Sequence, residues 1–515
     1  MRHEKSIDYK KSRSIDAKSF FLICALVLIY CPFFYTEMIG NYVGDTAIQI
    51  KIGLDGLSGG SFIPTEIYSW HEGLNWLPHE IGWYYILGIA YKLLGLSGVI
   101  LVAAAFNYGM AGMIFRKYKD TVHPVIIVGV AAVARLLTFP NYIARPHLFS
   151  ELAILTLVYV MLSEKKILFK SIIFCVISFL MAWIHGGMVP ILFAVYLVFV
   201  VIELVFRQFK STLIYLAAAV AAFLVSLLNP LGIKIWTYGI LQSANTDFWH
   251  INLEWAPKNF EIWEITLILL VFVGFVVDGR VKKFEKNAII RLCILCMFLI
   301  ASCKYCRFMN YTALFILALC PEEIQSLISW INDNVLKINK EKIKLSNTSY
   351  YILSAFCALF FVFITVFSIV KFVPSNTMQT ASAIAAYDEN VITCVKQNGY
   401  KKIYNSFNSG TWLAFYDIPV HIDNRCDPYM AEYSGTDYLT GQMMIEDIDS
   451  LDKFFAKYDE ADAAVLDLYP GTTDDWFVDD IYEATDRYKI VYDNTVTSTY
   501  KPDVRLRWVV VERVS

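Results

Sequence analysis

The chain returns repeatedly to predominantly apolar runs of about 17 to 21 residues, the length that crosses the hydrocarbon core of a bilayer. They read as spans at 20–39, 83–115, 122–139, 147–162, 168–184, 187–206, 211–228, 262–278, 287–303, 307–320 and 350–371. The second of these is expected to begin as an interfacial segment, with a helix from about residue 97. Eleven crossings result, and in lipid each must satisfy its own backbone polar groups, as a helix does. Composition agrees. Of 515 residues, 57% are hydrophobic and only 18% charged, against about a quarter charged in an ordinary soluble chain. A net charge of −3 argues against a nucleic-acid partner. The basic start MRHEKSIDYKKSRSIDAK leads into an apolar run with no small-residue cleavage site after it, so the first helix is expected to be retained.

The connections sort by charge. RKYKD, SEKKILFK, FRQFK, DGRVKKFEK and NDNVLKINKEKIK are all basic, and Lys and Arg concentrate on the cytoplasmic side. A cytoplasmic N-terminal tail (1–19) puts every one of them inside. The first outer loop (40–80), the turn at His185, the connection 229–261 and the link from Lys304 to Arg307 then lie outside. The segment 321–349 reads as an amphipathic or interfacial helix and a basic linker on the inner side.

An odd number of crossings also puts 372–515 outside. This region alternates strand-length runs (KKIYNSF, IPVHIDNR, ADAAVLDL, YKIVYD, RWVVVERV) with helical stretches (SGTWLAFY, SLDKFFAKY), the pattern of an α/β domain. About 140 residues suffice to bury a core. The expected fold class is a mainly α polytopic domain, 20–371, followed by an extracytoplasmic α/β domain. Its cysteines, Cys394 and Cys426, are candidates for a disulfide on an oxidising side. Cys303 and Cys306 form a CxxC without a second pair, which needs no metal or redox explanation.

This threading brings the unusual polar residues to one face. Asp45, His71, His79, Glu80, Arg145, His147, His185, Glu254, Lys304 and Arg307 lie in outer loops or at outer helix ends. Arg135 lies a turn or two deeper, and an ionisable group at membrane depth must be paired or line a wet cavity. Plainer readings stand beside these: Lys304 snorkelling to headgroups, His185 as a turn residue, Asp45 as an N-cap, and Trp70, Trp76, Trp83 and Trp255 as interface aromatics. Together the residues describe a polar cavity opening outward. Guanidinium groups there suit a lipid-linked phosphate, and a facing carboxylate suits a general base acting on an acceptor hydroxyl or amine. In HIDNRCDPY, Asp423, Arg425 and Asp427 are placed on the loop after an apolar strand, where α/β sheets bind ligands. An internal Asp–Arg pair is the alternative.

GDTAIQIKIG…GGSFIPTEIYSW…LNWLPHEIGWYYILGIAYKLLGLSG resembles the first outer loop of bacterial multi-spanning glycosyltransferases of the GT-C type. ARPHLFSEL, WIHGGMVPI, LLNPLGIKIW, LEWAPKNF and NSFNSGTWLAFYDIPVHIDNRCDPY extend the resemblance over most of the chain. It implies transfer of a sugar from a polyprenyl-phosphate donor to a glycan, lipid or protein acceptor of the cell envelope, by a multi-pass protein of the cell membrane. It implies a catalytic role for Asp45 and a phosphate-holding role for Arg145 or Arg307. Glu80 and His79 join Asp45 as catalytic candidates. Arg135, His147, His185, Glu254, Lys304, Asp423 and Arg425 are candidates for substrate binding. Two features depart from the pattern: Thr46 follows Asp45 where a second acid would complete a doublet, and the outer loops carry no sharp DxD motif. The sequence therefore requires no metal, and His71, His79 and Glu80 are the residues that would ligate a divalent ion. The alternative function is a non-catalytic scaffold of the same type, or a transporter or flippase of lipid-linked sugars. Against transport, no internal repeat appears and the charges gather at one face rather than at the midplane.

Overall fold

The computed structural model describes residues 15–31, 40–138, 143–244, 253–282, 285–338, 345–372, 376–439 and 445–514. Most of the N-terminal tail, the second half of the first expected span (32–39) and parts of two basic connections (283–284 and 339–344) lie outside the described residues.

Helices form where the apolar runs predict them, as α1 (Ala17–Ile29), α3 (Ile81–Tyr118), α4 (Pro124–Leu137), α5 (His147–Leu162), α6 (Ile167–Ile184), α7 (Val189–Val205) and α8 (Phe209–Ser226), and two more, α2 (Asp45–Leu57) and α9 (Lys234–Ala244), form in the connections 40–80 and 229–261. Further long helices cover Ile262–Lys282, Lys286–Lys304 and Asn347–Phe372. Among the described residues, seven helices are long and apolar enough to cross a membrane. An eighth arises if Cys306–Leu319 and Pro321–Leu336, bent by 64°, form one broken span. α1, α4 and α5 are apolar but shorter. The chain is a multi-pass membrane protein. Each of the eleven expected crossings holds a helix, and among the described residues seven of these helices reach full spanning length.

Two glycine sites shape α3 and its packing on α2. At Gly95 the backbone of α3 breaks (φ 61°, ψ −148°), close to where the interfacial segment was expected to give way to a helix. Asn376 bridges the break: its Oδ1 accepts from the Ser97 backbone N–H at 2.8 Å, and its Nδ2 donates to the Leu94 carbonyl at 2.6 Å. Elsewhere α2 lies directly on α3, because Gly53 and Gly88 meet without side chains. A Cβ on Gly53 would come within 2.0 Å of the Tyr84 carbonyl oxygen.

The C-terminal region contains a four-stranded sheet in the order β1-β2-β4-β3, made of β1 (Ile403–Asn405), β2 (Ala463–Leu468), β3 (Tyr488–Thr497) and β4 (Arg505–Arg513). β1 runs parallel to β2, and the other pairings are antiparallel. The helices Phe407–Phe415 and Ile448–Lys457 match SGTWLAFY and SLDKFFAKY. IPVHIDNR is not a sheet strand. It makes one isolated bridge, Val420 to Ser69 of the first outer loop, because its backbone groups are taken by that loop: Val420 N–H donates to the Tyr68 carbonyl at 2.9 Å. Cys394 and Cys426 are free thiols rather than a disulfide.

The glycine contact makes a direct prediction. Gly53→Val must push α2 off α3, at a cost of about 1–3 kcal/mol or more, so the variant should unfold at a lower temperature in detergent. An unchanged unfolding midpoint would contradict this packing.

Candidate functional site

The outer loops and the ends of α2, α3, α5 and α7 enclose a cavity of 330 Å³. Nine of the twelve residues singled out from sequence line it: Asp45, His79, Glu80, Arg145, His147, His185, Glu254, Arg307 and Arg425. Two clusters organise its polar wall.

The first is centred on Arg145, which immediately precedes Pro146, the N-cap of α5. Its Nη1 donates to Glu254 Oε1 at 2.6 Å, and its Nη2 pairs with Asp45 Oδ2. Asp45 is the first residue of α2. Gly44 is the N-cap and no side chain caps this end, so the N-cap expectation for Asp45 is corrected: the carboxylate is turned to Arg145. Thr46 Oγ1 reaches the Ala144 carbonyl at 3.5 Å, which fastens the start of α2 to the segment carrying Arg145. Arg307 stands 4.6 Å above the Trp255 ring. The Cys306 N–H donates to the Ala256 carbonyl at 2.8 Å, drawing the second guanidinium towards Glu254.

These surroundings divide the acids by role. The Arg145 charge, with Arg307 beyond it, holds the Glu254 carboxyl down at about 2, so Glu254 is an anchor and a poor base. Burial pushes the Asp45 carboxyl up, with Arg145 opposing and Glu254 and Glu80 adding to the rise. A raised value makes Asp45 the more basic carboxylate.

The second cluster gathers around Glu80. Gln49 Nε2 donates to Glu80 Oε2 at 2.9 Å, while His79 Nε2 and His185 Nε2 lie 3.4 and 3.9 Å from Oε1. Burial alone would lower His79, but Glu80 beside it prevails and its pKa is raised. Ser150 Oγ and His185 Nδ1 hydrogen-bond at 2.5 Å, fixing that ring. The His79 ring stacks on Tyr238 at 3.8 Å.

Three candidates stand off the cavity. Arg135 is buried among the helices over the Tyr30 ring, at 5.9 Å, and interacts with the buried Glu151; its charge is accommodated inside the bundle. Lys304 is exposed and lies over Tyr305 at 5.0 Å. Asp423 is fully buried and bound to Arg425 Nη2 at 2.6 Å and to Tyr429 Oη at 2.8 Å. Arg425 also pairs with Glu66 and is sandwiched near Tyr68 and Trp76 at 4.9 and 4.8 Å. This is the internal Asp–Arg pair of the alternative reading, although one edge of Arg425 still faces the cavity. His71 does not join His79 and Glu80; it shares a 2.8 Å hydrogen bond with His421 instead. No group of three metal-ligating side chains is set for an ion among the described residues.

Sequence reasoning missed Gln49, Tyr238 and Asn424 on the cavity wall. Gln49 carries a legible signal, a polar residue amid the apolar positions of α2. Asp427, placed by the sequence on a loop where ligands bind, does line the cavity. It is fully buried and its Oδ2 accepts from the Leu77 N–H at 2.9 Å. Burial pushes its pKa up to about 7, against the opposing pull of His79 and Arg425.

No family model and no curated protein matches the chain. Among solved structures, it is similar to ArnT from Cupriavidus metallidurans in the apo state, with TM-score 0.49 and 14% identity over 95% of this chain and 97% of that one. The same protein bound to undecaprenyl phosphate gives a TM-score of 0.48, with the same identity and coverage. The oligosaccharyltransferase of Archaeoglobus fulgidus in the apo form gives 0.49 and 13% identity, over 87% of this chain and 70% of that one. Such identities leave the chemistry to be read from this chain's own side chains.

Two predictions follow from burial. Arg425→Ala strands Asp423 and Glu66 as buried unpaired acids, so it should destabilise the chain by about 3–5 kcal/mol, read as a lower unfolding temperature. A normal midpoint would mean the pair is dispensable. Asp427 has a higher pKa folded than unfolded, so it binds more protons in the folded state, and stability falls as pH rises from about 4 to about 7. Asp427→Asn should remove this loss, gaining about 2–3 kcal/mol more at pH 8 than at pH 5. Equal shifts at both pH values would contradict the buried acid.

Proposed function

We propose that the chain is a membrane glycosyltransferase, moving a sugar from a polyprenyl-phosphate donor to a cell-envelope acceptor on the outer face. The observation that carries this reading is Arg145, shared between Asp45 and Glu254 at a cavity that also holds Arg307. Two guanidinium groups suit a phosphate anion, which would compete with the carboxylates for Arg145. An acceptor hydroxyl or amine then attacks the anomeric carbon of the sugar as its bond to the phosphate oxygen breaks. The acceptor's proton passes to Asp45, and the polyprenyl phosphate leaves with the bonding electron pair, its charge held by Arg145 and Arg307. Glu254, kept anionic, orients Arg145. Glu80, His79 and His185 shape the acceptor side of the cavity. His147 borders the phosphate side, beside Arg145.

The proposed topology puts this cavity, the first outer loop and the region from about 375 onward outside the cell, with the N-terminus inside. In a cysteine-free background, Ser450→Cys should label with an impermeant maleimide in intact cells, whereas Ser6→Cys should label only after lysis. The reverse pattern would overturn the orientation.

Asp45→Asn tests the chemistry, since it keeps the shape and loses the base. Membranes supplied with radiolabelled nucleotide sugars, so that they form their own polyprenyl-phosphate sugars, should pass label into envelope material when they carry the chain. With Asp45→Asn the rate should fall about a hundredfold to ten-thousandfold. Transfer at the normal rate would remove Asp45 as the base. Label transfer that does not depend on the chain would overturn the enzyme reading.

A further inference from the structure

We infer that Gln49, Asn424 and Asp427 form a patch that recognises the hydroxyl groups of a sugar ring. Each of these residues lines the cavity and carries one buried acceptor with no hydrogen-bond partner: Gln49 Oε1, Asn424 Oδ1 and Asp427 Oδ1. Each of these side chains is held by its other polar atom. Gln49 Nε2 is spent on Glu80, which fixes the amide with Oε1 on the opposite side. The Asn424 side chain hydrogen-bonds the Asp45 carboxylate; an ionised carboxylate only accepts, so the amide N–H₂ faces it and Oδ1 is left over. Asp427 Oδ2 takes the Leu77 N–H, leaving Oδ1, an acceptor once the carboxyl is ionised.

Buried acceptors are nearly always satisfied in folded proteins, and leaving one without a donor is costly. Three on one wall call for a guest rich in O–H or N–H groups. A phosphate brings oxygens instead and would be repelled here, which assigns it to the arginine side of the same cavity. Trp76 and Tyr238 also line this space, adding apolar wall beside the three acceptors. The chemistry is that of a polyhydroxylated ring, whether it arrives as the donor's glycosyl group or as the acceptor's terminal sugar. The inference rests on the proposed function only where it assumes that a donor sugar comes attached to a lipid phosphate.

Gln49→Met and Asp427→Asn separate the possibilities and lie on different elements, so either one that folds suffices; unfolding midpoints check this. In Asp427→Asn the side-chain oxygen stays on the Leu77 N–H and the amide nitrogen turns donors into the cavity. The full-length protein in nanodiscs would be titrated with undecaprenyl phosphate, with undecaprenyl phosphoglucose, phosphogalactose and phosphomannose, and with the methyl glycosides of the same sugars. The wild-type protein should prefer at least one sugar-bearing lipid over the bare phosphate. Each variant should lose about tenfold of that preference while binding bare undecaprenyl phosphate unchanged. A loss confined to the methyl glycosides supports the same patch and makes the acceptor its source. Variants that bind every sugar probe like the wild type overturn the patch and leave the proposed function standing. If the wild type binds no undecaprenyl lipid, the proposed function fails, and the glycoside titration alone decides the patch.

Discussion

Arg145 is the constraint around which the cavity of this protein is built. A guanidinium cannot shed its proton under ordinary conditions, so burying one beside the membrane commits the fold to supplying anions. Asp45 and Glu254 supply them from α2 and from the loop after α9, some 100 residues on either side in sequence. Each is placed by backbone features of its own: Asp45 by the glycine contact between α2 and α3, Glu254 by the bond between Cys306 and Ala256. The cluster in turn gives the two acids different strengths, since Glu254 is dominated by the cation and Asp45 by its burial. A site that offers a strong anion anchor and a more basic neighbour suits chemistry in which a phosphate leaves and a proton is taken up.

The C-terminal region completes the cavity rather than standing apart from it. Asn424, Arg425, Cys426 and Asp427 reach its wall from a segment that gives up a place in the sheet to bond with the first outer loop. Trp70 Nε1 donates to the Ile403 carbonyl at 2.8 Å, Ser69 Oγ to the Val420 carbonyl at 2.9 Å, and Thr411 Oγ1 to the Val43 carbonyl at 2.9 Å. These bonds join the loop to both β1 and the helix Phe407–Phe415. The ion pair of Arg425 with Glu66 crosses the same seam. Membrane-length helices and the C-terminal region both wall the cavity, so a change in the seam would reach the Arg145 cluster through Asn424 and Asp45.

Much of the helical architecture was legible because membrane length and hydropathy act locally: a run of apolar residues must become a helix whatever its neighbours. The break at Gly95 was partly legible for the same reason. The strand expectation for IPVHIDNR failed because an apolar run of that length is equally at home in a loop bonded to another segment. Arg135 was drawn into the cavity on the ground that a deep charge needs a wet partner. The fold keeps it inside the bundle, over the Tyr30 ring and within the field of Glu151, and nothing in sequence spacing distinguishes those outcomes.

The sequence by itself determined that the chain threads a membrane repeatedly and that its unusual charges belong to the ends of helices on one face. It did so because the cost of polar groups in lipid is paid residue by residue. Only the tertiary structure decided which of those charges meet. Arg145 finds Asp45 and Glu254, Glu80 finds Gln49 and His79, and Arg425 turns inward to Asp423 and Glu66. Such pairings depend on distances of a few ångströms between segments remote in sequence, set by how closely helices pack and where loops cross, and no local pattern encodes them.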